Sequence, residues 1–266
     1  MLAARILAIW LAVSALVGCV GPQVQPHAEA ISQIRSIYIV PMETLPLSVD
    51  STYATTGPAS VVHFLPRYTI GMARAVGVLS GIAMLLELPD LSQRRLEYPP
   101  SVQSQINPTE TWHLSVELSR EASRLVTAAG KTPVLSFEIQ PIPGIQDRGR
   151  TVLMENWMAP IRAWYNDALP SSRYAALTVN GVEAVAEVGI SNYEILSGKL
   201  LLQVHVRLID PASGQLLGRS RASSFTELPS MDEAFAADAK LFKESASLAG
   251  SQLLVTCLYA LGIGSK

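Results

Sequence analysis

The sequence predicts an α+β domain of two layers, in which a mixed sheet of about five strands ends in an antiparallel meander and helices pack mainly on one face. Three patterns carry that prediction. Residues between Gly181 and Phe225 alternate apolar and polar with period two. Ser36-Ile37-Tyr38-Ile39-Val40-Pro41 is a β-branched run closed by proline. Several segments between and after them repeat their apolar residues at helical spacing.

Taken in order, the first strand is 36–41. Residues 44–69 carry Pro46, Gly57, Pro58 and Pro66 among scattered Ser and Thr, and are expected to form a long loop and a candidate contact surface. Ile70 to Leu88 is apolar except for Arg74, Ser80 and Glu87, with Gly77 and Gly81 four residues apart. Three readings stay open for this helix: buried against the sheet, meeting lipid or a partner on one apolar face, or spanning a bilayer. Spanning fits least, because the uncharged stretch Ala75 to Leu86 is shorter than the ~20 residues a bilayer needs. Each glycine costs about 1 kcal/mol relative to alanine inside a helix, so Gly77 and Gly81 mark a close approach, a candidate partner or membrane contact.

Residues 89–108 form a second excursion, with Arg94-Arg95 and Pro99-Pro100. Asn107 or Thr109 then caps a helix through Trp112, Val116, Leu118, Leu125 and Val126 that Gly130 stops. Val134 to Ile139 alternates as a second strand, and Leu153, Trp157, Ile161, Trp164 and Leu169 mark a further helix that Pro160 kinks or delays.

In the meander, Ala184, Ala186, Val188 and Ile190 share one face and Glu183 and Glu187 the other. Leu202, Val204, Val206 and Leu208 oppose Gln203, His205 and Arg207, and Asp210-Pro211-Ala212-Ser213-Gly214 turns the chain back through Arg219 and Arg221. The charged positions are expected to form a solvated mixed-charge sheet surface. A long helix starts at Met231, opened by the capping-box pair Ser230 and Glu233, with Phe235, Ala239, Phe242, Ala246, Ala249 and Leu253 as its stripe. Past Ser251 it is apolar all round, so 252–263 is buried or meets another chain or lipid, and Gly262 and Gly264 end it.

The amino terminus is the most specific functional mark. Arg5 makes a short basic start, Ile6 to Val17 an apolar run, and Gly18 stands before Cys19. Leu16-Val17-Gly18-Cys19 matches the lipobox of bacterial lipoproteins, and the resemblance implies cleavage before Cys19 and acylation of that cysteine. A plain secretory signal or an uncleaved anchor is the alternative. The expected organisation is a signal peptide over 1–18, a flexible Gly/Pro/Gln/Ala tether over 19–34, and one periplasmic domain over 35–266 with excursions at 44–69 and 89–108.

Composition excludes several functions. With 20 Lys and Arg against 22 Asp and Glu the chain is near neutral and lacks a basic tract, so no nucleic-acid partner is expected. Two cysteines, one assigned to lipid, exclude a disulfide framework, and Cys257 in its apolar run is expected to be buried. His27, His63, His113 and His205 are scattered without His-x-x-x-His or Cys-x-x-Cys spacing, so neither metal nor cofactor is expected. Phosphate-loop, nucleophile-elbow and dinucleotide motifs are absent. Glu183 with Glu187, or Glu138 with Asp147, could in principle make a carboxylate pair, but nothing in the sequence places either in a cleft.

The strand 36–41, the V-x-E-x-G-I strand within 181–190 and the hairpin 204–218 together resemble the core of bacterial envelope lipoproteins of the curli-secretion, penicillin-binding-protein-activator and Tol-system periplasmic group. The resemblance covers about half the chain and implies a lipid-anchored, non-catalytic accessory, assembly or adaptor subunit, with membrane contact through Cys19 and an envelope partner or self-association. Val20 after the cysteine, where aspartate would favour inner-membrane retention, implies the outer membrane. A homo-oligomeric secretion channel is the second reading, although no amphipathic hairpin pair of the kind such a pore needs stands in the sequence, and an envelope hydrolase is the third.

Overall fold

A computed structural model describes residues 23–45, 47–49, 112–145, 154–167 and 172–264. The lipobox residues Leu16, Val17, Gly18 and Cys19, the helix with Gly77 and Gly81, the excursion 89–108 and Asp147 lie outside the described residues.

The described chain runs α1 (Ala28–Gln33), β1 (Ser36–Pro41), β2 (Ser48–Val49), α2 (Leu114–Ala128), β3 (Thr132–Leu135), α3 (Met154–Asn166), a 3-10 helix (Ser172–Asn180), β4 (Ala184–Leu196), β5 (Lys199–Ile209), β6 (Leu216–Glu227) and α4 (Met231–Ala260). The strands form one mixed sheet ordered β3-β1-β4-β5-β6, with β2 pairing on β4 beyond the end of β1. β1 is parallel to both β3 and β4, whereas β4, β5 and β6 are antiparallel, so the fold is the expected mixed sheet ending in a meander.

Pairing register decides which residues share a face. Ala186 stands opposite Leu208, Val188 opposite Val206 and Ile190 opposite Val204, which assembles one wholly apolar face. The two long helices cover it: α4 lies on β5 and β6, and α2 lies on β1 and β3 and against α4. Gly250 of α4 lets them approach, since a Cβ there would stand 2.7 Å from Leu118. Cys257 is buried in this layer as expected, its thiol 3.7 Å from the Val204 carbonyl and pushed up to about 12 by burial.

Four elements differ from their sequence-level outline. Residues 23–34, expected as tether, lie on the domain from Gln23 onward: Val24 exchanges two backbone hydrogen bonds with Arg219 at the free edge of β6, and α1 buries Ile31 and Ile34. A lone apolar pair in a polar stretch shows no period, which is why the pattern hid it. Within the expected loop 44–69, Leu45 and Leu47 are buried and Ser48–Val49 pairs with β4. The second strand ends at Leu135, because the Ser136 hydroxyl bridges to the backbone of Glu138 and turns Phe137 out to solvent.

The fourth difference is in α4, which is not one continuous helix. Its capping box forms as expected, but Ala236 to Ala239 leave helical geometry, with positive φ at Ala237, Asp238 and Ala239. Residues seven apart in an unbroken helix sit about 10 Å apart along the axis. Here the Phe235 and Phe242 rings stack with centroids at 4.9 Å, so the break brings both into the core beside Trp112 and Tyr193. The apolar run 252–263 is mostly spent inside the domain, where Leu253, Leu254, Leu258, Leu261 and Ile263 are buried. No helix among the described residues is long and apolar enough to cross a membrane.

Because the Ser230 hydroxyl accepts from the Glu233 amide and the Glu233 carboxylate returns to Ser230, Ser230→Ala is expected to lower stability by about 1 kcal/mol, read as a shifted urea midpoint with unchanged slope.

Candidate functional site

The polar face of the meander is not solvated. Glu187, His205, Arg207 and Arg219 are all buried, with Glu187 only 2% exposed. Two elements cover them: α3 and the 3-10 helix, which the sequence outline had not placed over this side. The site is therefore a buried polar cluster between the sheet and α3.

Glu187 is its centre. Its register opposite Arg207 sets the two side chains together, and Arg207 Nη1 donates to Glu187 Oε2 at 2.9 Å. Trp164 Nε1 donates to the same oxygen and the Tyr174 hydroxyl to Oε1, both at 2.8 Å, while Arg173 stands 3.9 Å from Oε1. Burial first, and then the neighbouring carboxylate, push the Tyr174 phenol well above its ordinary range, so it stays a donor. The carboxylate is thus held by one guanidinium and two neutral donors, the satisfaction that a buried charge requires.

The arginines also terminate α3. Arg207 Nη2 donates to the Asp167 carbonyl at 2.8 Å and Arg219 Nη1 to the Tyr165 carbonyl at 3.0 Å, so two of the carbonyls that a helix end leaves without intrahelical partners receive cations. The Arg207 guanidinium lies 5.6 Å over the Trp164 ring and that of Arg219 5.3 Å over Tyr165. Gly189 leaves room for this packing, because a Cβ there would stand 2.6 Å from Trp164. The spacing Trp157, Ile161, Trp164 foretold the buried stripe of α3, but not that the stripe would meet charges.

Beside this pair, a bulge in β4 after Ile190 turns Ser191 toward His205, whose Nε2 it meets in a short hydrogen bond, and the Ser191 hydroxyl also donates to Gln203 Oε1 at 2.5 Å. A serine against an imidazole has the pairing of a nucleophile and its base. Three features make it a structural bond instead. Ser191 is buried; His205 packs edge-on to Tyr165 at 4.4 Å, with no hydrogen-bond partner on Nδ1 among the described residues; and burial, with Arg221 adding to it, pushes the imidazole down to about 3, too weak a base near neutral pH.

Of the carboxylates considered as pairs, Glu183 and Glu187 do not meet, and Asp147, proposed with Glu138, lies outside the described residues. Glu183 is exposed and accepts from the backbone amides of Arg35 and Ser36, which hold its carboxyl below the usual range, so it fastens the start of β1. Of the four histidines, His27 stands before α1, His113 before α2 and His205 on β5, while His63 lies outside the described residues. Among the described residues no group of three His, Cys, Asp or Glu could hold a metal ion.

No family model matches the chain, and no curated protein is similar to it in sequence. Solved structures give distant likenesses. A PelC dodecamer from Paraburkholderia phytofirmans aligns over 92% of this chain and 97% of that one, at 9% identity and a TM-score of 0.39. The hypothetical protein CT253 from Chlamydia trachomatis aligns over 86% and 96%, at 12% identity and a TM-score of 0.36. Lipoprotein GNA1162 from Neisseria meningitidis aligns over 73% and 83%, at 14% identity and a TM-score of 0.26. Likeness at this level transfers neither ligand nor partner.

Two outcomes follow from the cluster. Glu187→Ala strands the buried Arg207 and is expected to cost about 3–5 kcal/mol in denaturant unfolding, whereas Glu187→Met with Arg207→Met regains a large part of that loss. His205 is neutral in the fold and titrates near 6.5 when unfolded, so the unfolded chain takes up its proton first. Stability is therefore expected to fall as pH drops from about 6.5 towards about 3. His205→Asn should flatten that limb in chemical-denaturation curves taken across the range.

Proposed function

We propose that the chain is a non-catalytic lipoprotein of the bacterial envelope, anchored through acylated Cys19 to the outer membrane on its periplasmic side and acting as an accessory, assembly or adaptor subunit of an envelope complex. The observation that carries this reading is the run Leu16-Val17-Gly18-Cys19 behind an apolar stretch with Arg5 before it. The resemblance of the strand 36–41 and the hairpin 204–218 to envelope lipoprotein cores supports it, as does the use of the buried polar groups: Arg207 binds Glu187, and Arg207 and Arg219 bind the end of α3, which is what a scaffold needs. The envelope partner is another protein or a second copy of this chain. Gly77 and Gly81 are the proposed contact residues.

Metabolic labelling with an alkyne fatty acid tests the anchor. The wild-type protein is expected to take up label and sediment with outer-membrane fractions, while Cys19→Ala stays unlabelled and soluble or retained with its signal. An unlabelled wild type that behaves like Cys19→Ala removes the reading.

A further inference from the structure

The N-terminal segment says which part of the domain the anchor holds against the membrane. Val24 donates to the Arg219 carbonyl at 3.1 Å and accepts from its amide at 2.9 Å, and Gln23 Nε2 donates to the Arg221 carbonyl at 3.3 Å. Downstream, Gly218 leaves no room beside Pro26, where its Cβ would stand 2.8 Å from Cδ. Ile31 packs by Gly262, and Lys131 Nζ donates to the carbonyls of Ile31 and Ile34 at 2.9 and 2.5 Å. The chain is thus fastened to the domain as far as Gln23, and Val20, Gly21 and Pro22 alone separate that point from Cys19.

Four residue steps reach at most about 14 Å. The bridge between Val24 and Arg219 is antiparallel and the preceding residue, Gln23, meets Arg221, so the described chain begins on the Phe225 side of that bridge. Four residues of strand from Arg221 to Phe225 also cover about 14 Å. Phe225 is 53% exposed although it stands on a strand beside buried Leu201, and the β4–β5 turn at Ser197 and Gly198 closes the same end of the sheet, where the Leu228 amide donates to the Gly198 carbonyl at 2.9 Å. A large apolar ring left in water at the end nearest the tether has the amphipathic placement that interfacial aromatics take.

We infer that this end of the sheet, Phe225 with the Ser197–Gly198 turn, rests on the lipid surface, Phe225 entering the headgroup layer while the Glu183 end of β4 points away. The inference rests on the proposed acylation of Cys19. Its occupant is the bilayer itself.

The test uses full-length lipidated protein reconstituted into vesicles of phosphatidylethanolamine and phosphatidylglycerol. Phe225→Cys and, as a control, Val179→Cys each carry an environment-sensitive fluorophore; Val179 is exposed and precedes β4, whose thirteen residues span about 43 Å from its start to the Ser197 turn. Buried Cys257, its thiol pushed up to about 12, escapes the label. The probe at 225 is expected to emit further to the blue and to be quenched by brominated lipid several-fold more than the probe at 179. A ten-residue Gly/Ser spacer after Pro22 is expected to erase that difference without releasing the protein from the vesicles. If the protein floats with the vesicles while both probes stay equally wet, the orientation is wrong and the anchor stands. If the protein does not float and matches Cys19→Ala, the anchor falls and the orientation with it.

Discussion

The Glu187–Arg207 pair is the constraint around which the rest is arranged. A carboxylate buried to 2% exposure inside a sheet can persist only if every lone pair facing the interior is met, and three separate elements are drawn in to meet it. Arg207 comes from the neighbouring strand, Trp164 from α3 and Tyr174 from the 3-10 helix. The pair contributes little net stability by itself, because desolvation offsets most of the Coulombic gain. Its effect is on geometry. Moving α3 by one turn, or sliding β5 by one residue, would leave a charge unpaired at several kcal/mol, so one register and one seat for α3 are selected from the many that apolar packing alone would accept.

The same arginines then solve a second problem. Helix α3 ends over the sheet, and there Arg207 and Arg219 supply donors to the carbonyls of Asp167 and Tyr165. Side chains that satisfy a carboxylate on one side and a helix end on the other couple the two layers. This is why the cluster is polar without being open: its hydrogen-bonding capacity is directed at the fold.

Much of this architecture was legible in the residues. Alternation in 184–190 and 202–208 placed both faces of the meander correctly, since a period of two admits no other assignment, and Ser230 with Glu233 located the start of α4 to the residue. What alternation cannot say is whether a polar face meets water or a second layer. Glu187, His205 and Arg207 look the same in sequence in either case, and the distinguishing signal lay elsewhere: Trp164 and Tyr174 carry apolar rings with polar tips that need buried acceptors. The serine beside His205 was invisible because a bulge, which inverts the alternation for one residue, puts it there. The break in α4 was equally hidden, since Ala236 to Ala239 carry no glycine or proline, yet Ala237, Asp238 and Ala239 are left-handed where Phe235 stacks on Phe242. Gly250 does for α2 and α4 what the pattern ascribed to Gly77 and Gly81, a backbone approach that a side chain would block.

The docked segment 23–34 changes the physical meaning of the N-terminus. A tether free from Cys19 to Ile34 would let the domain sample every orientation over a radius of tens of Å, and a partner would find it by chance encounter. Gln23 is bonded to Arg221 and α1 is clamped by Lys131, so the segment is fixed to the domain from Gln23 onward, and the acylation proposed for Cys19 would place the lipid with three residues between it and that fixed point. Edge strands are ordinarily a hazard because their free amides and carbonyls invite another chain. Here one stretch of that edge is occupied by Gln23 and Val24, so the contact that fastens the N-terminal segment to the domain also blunts the edge.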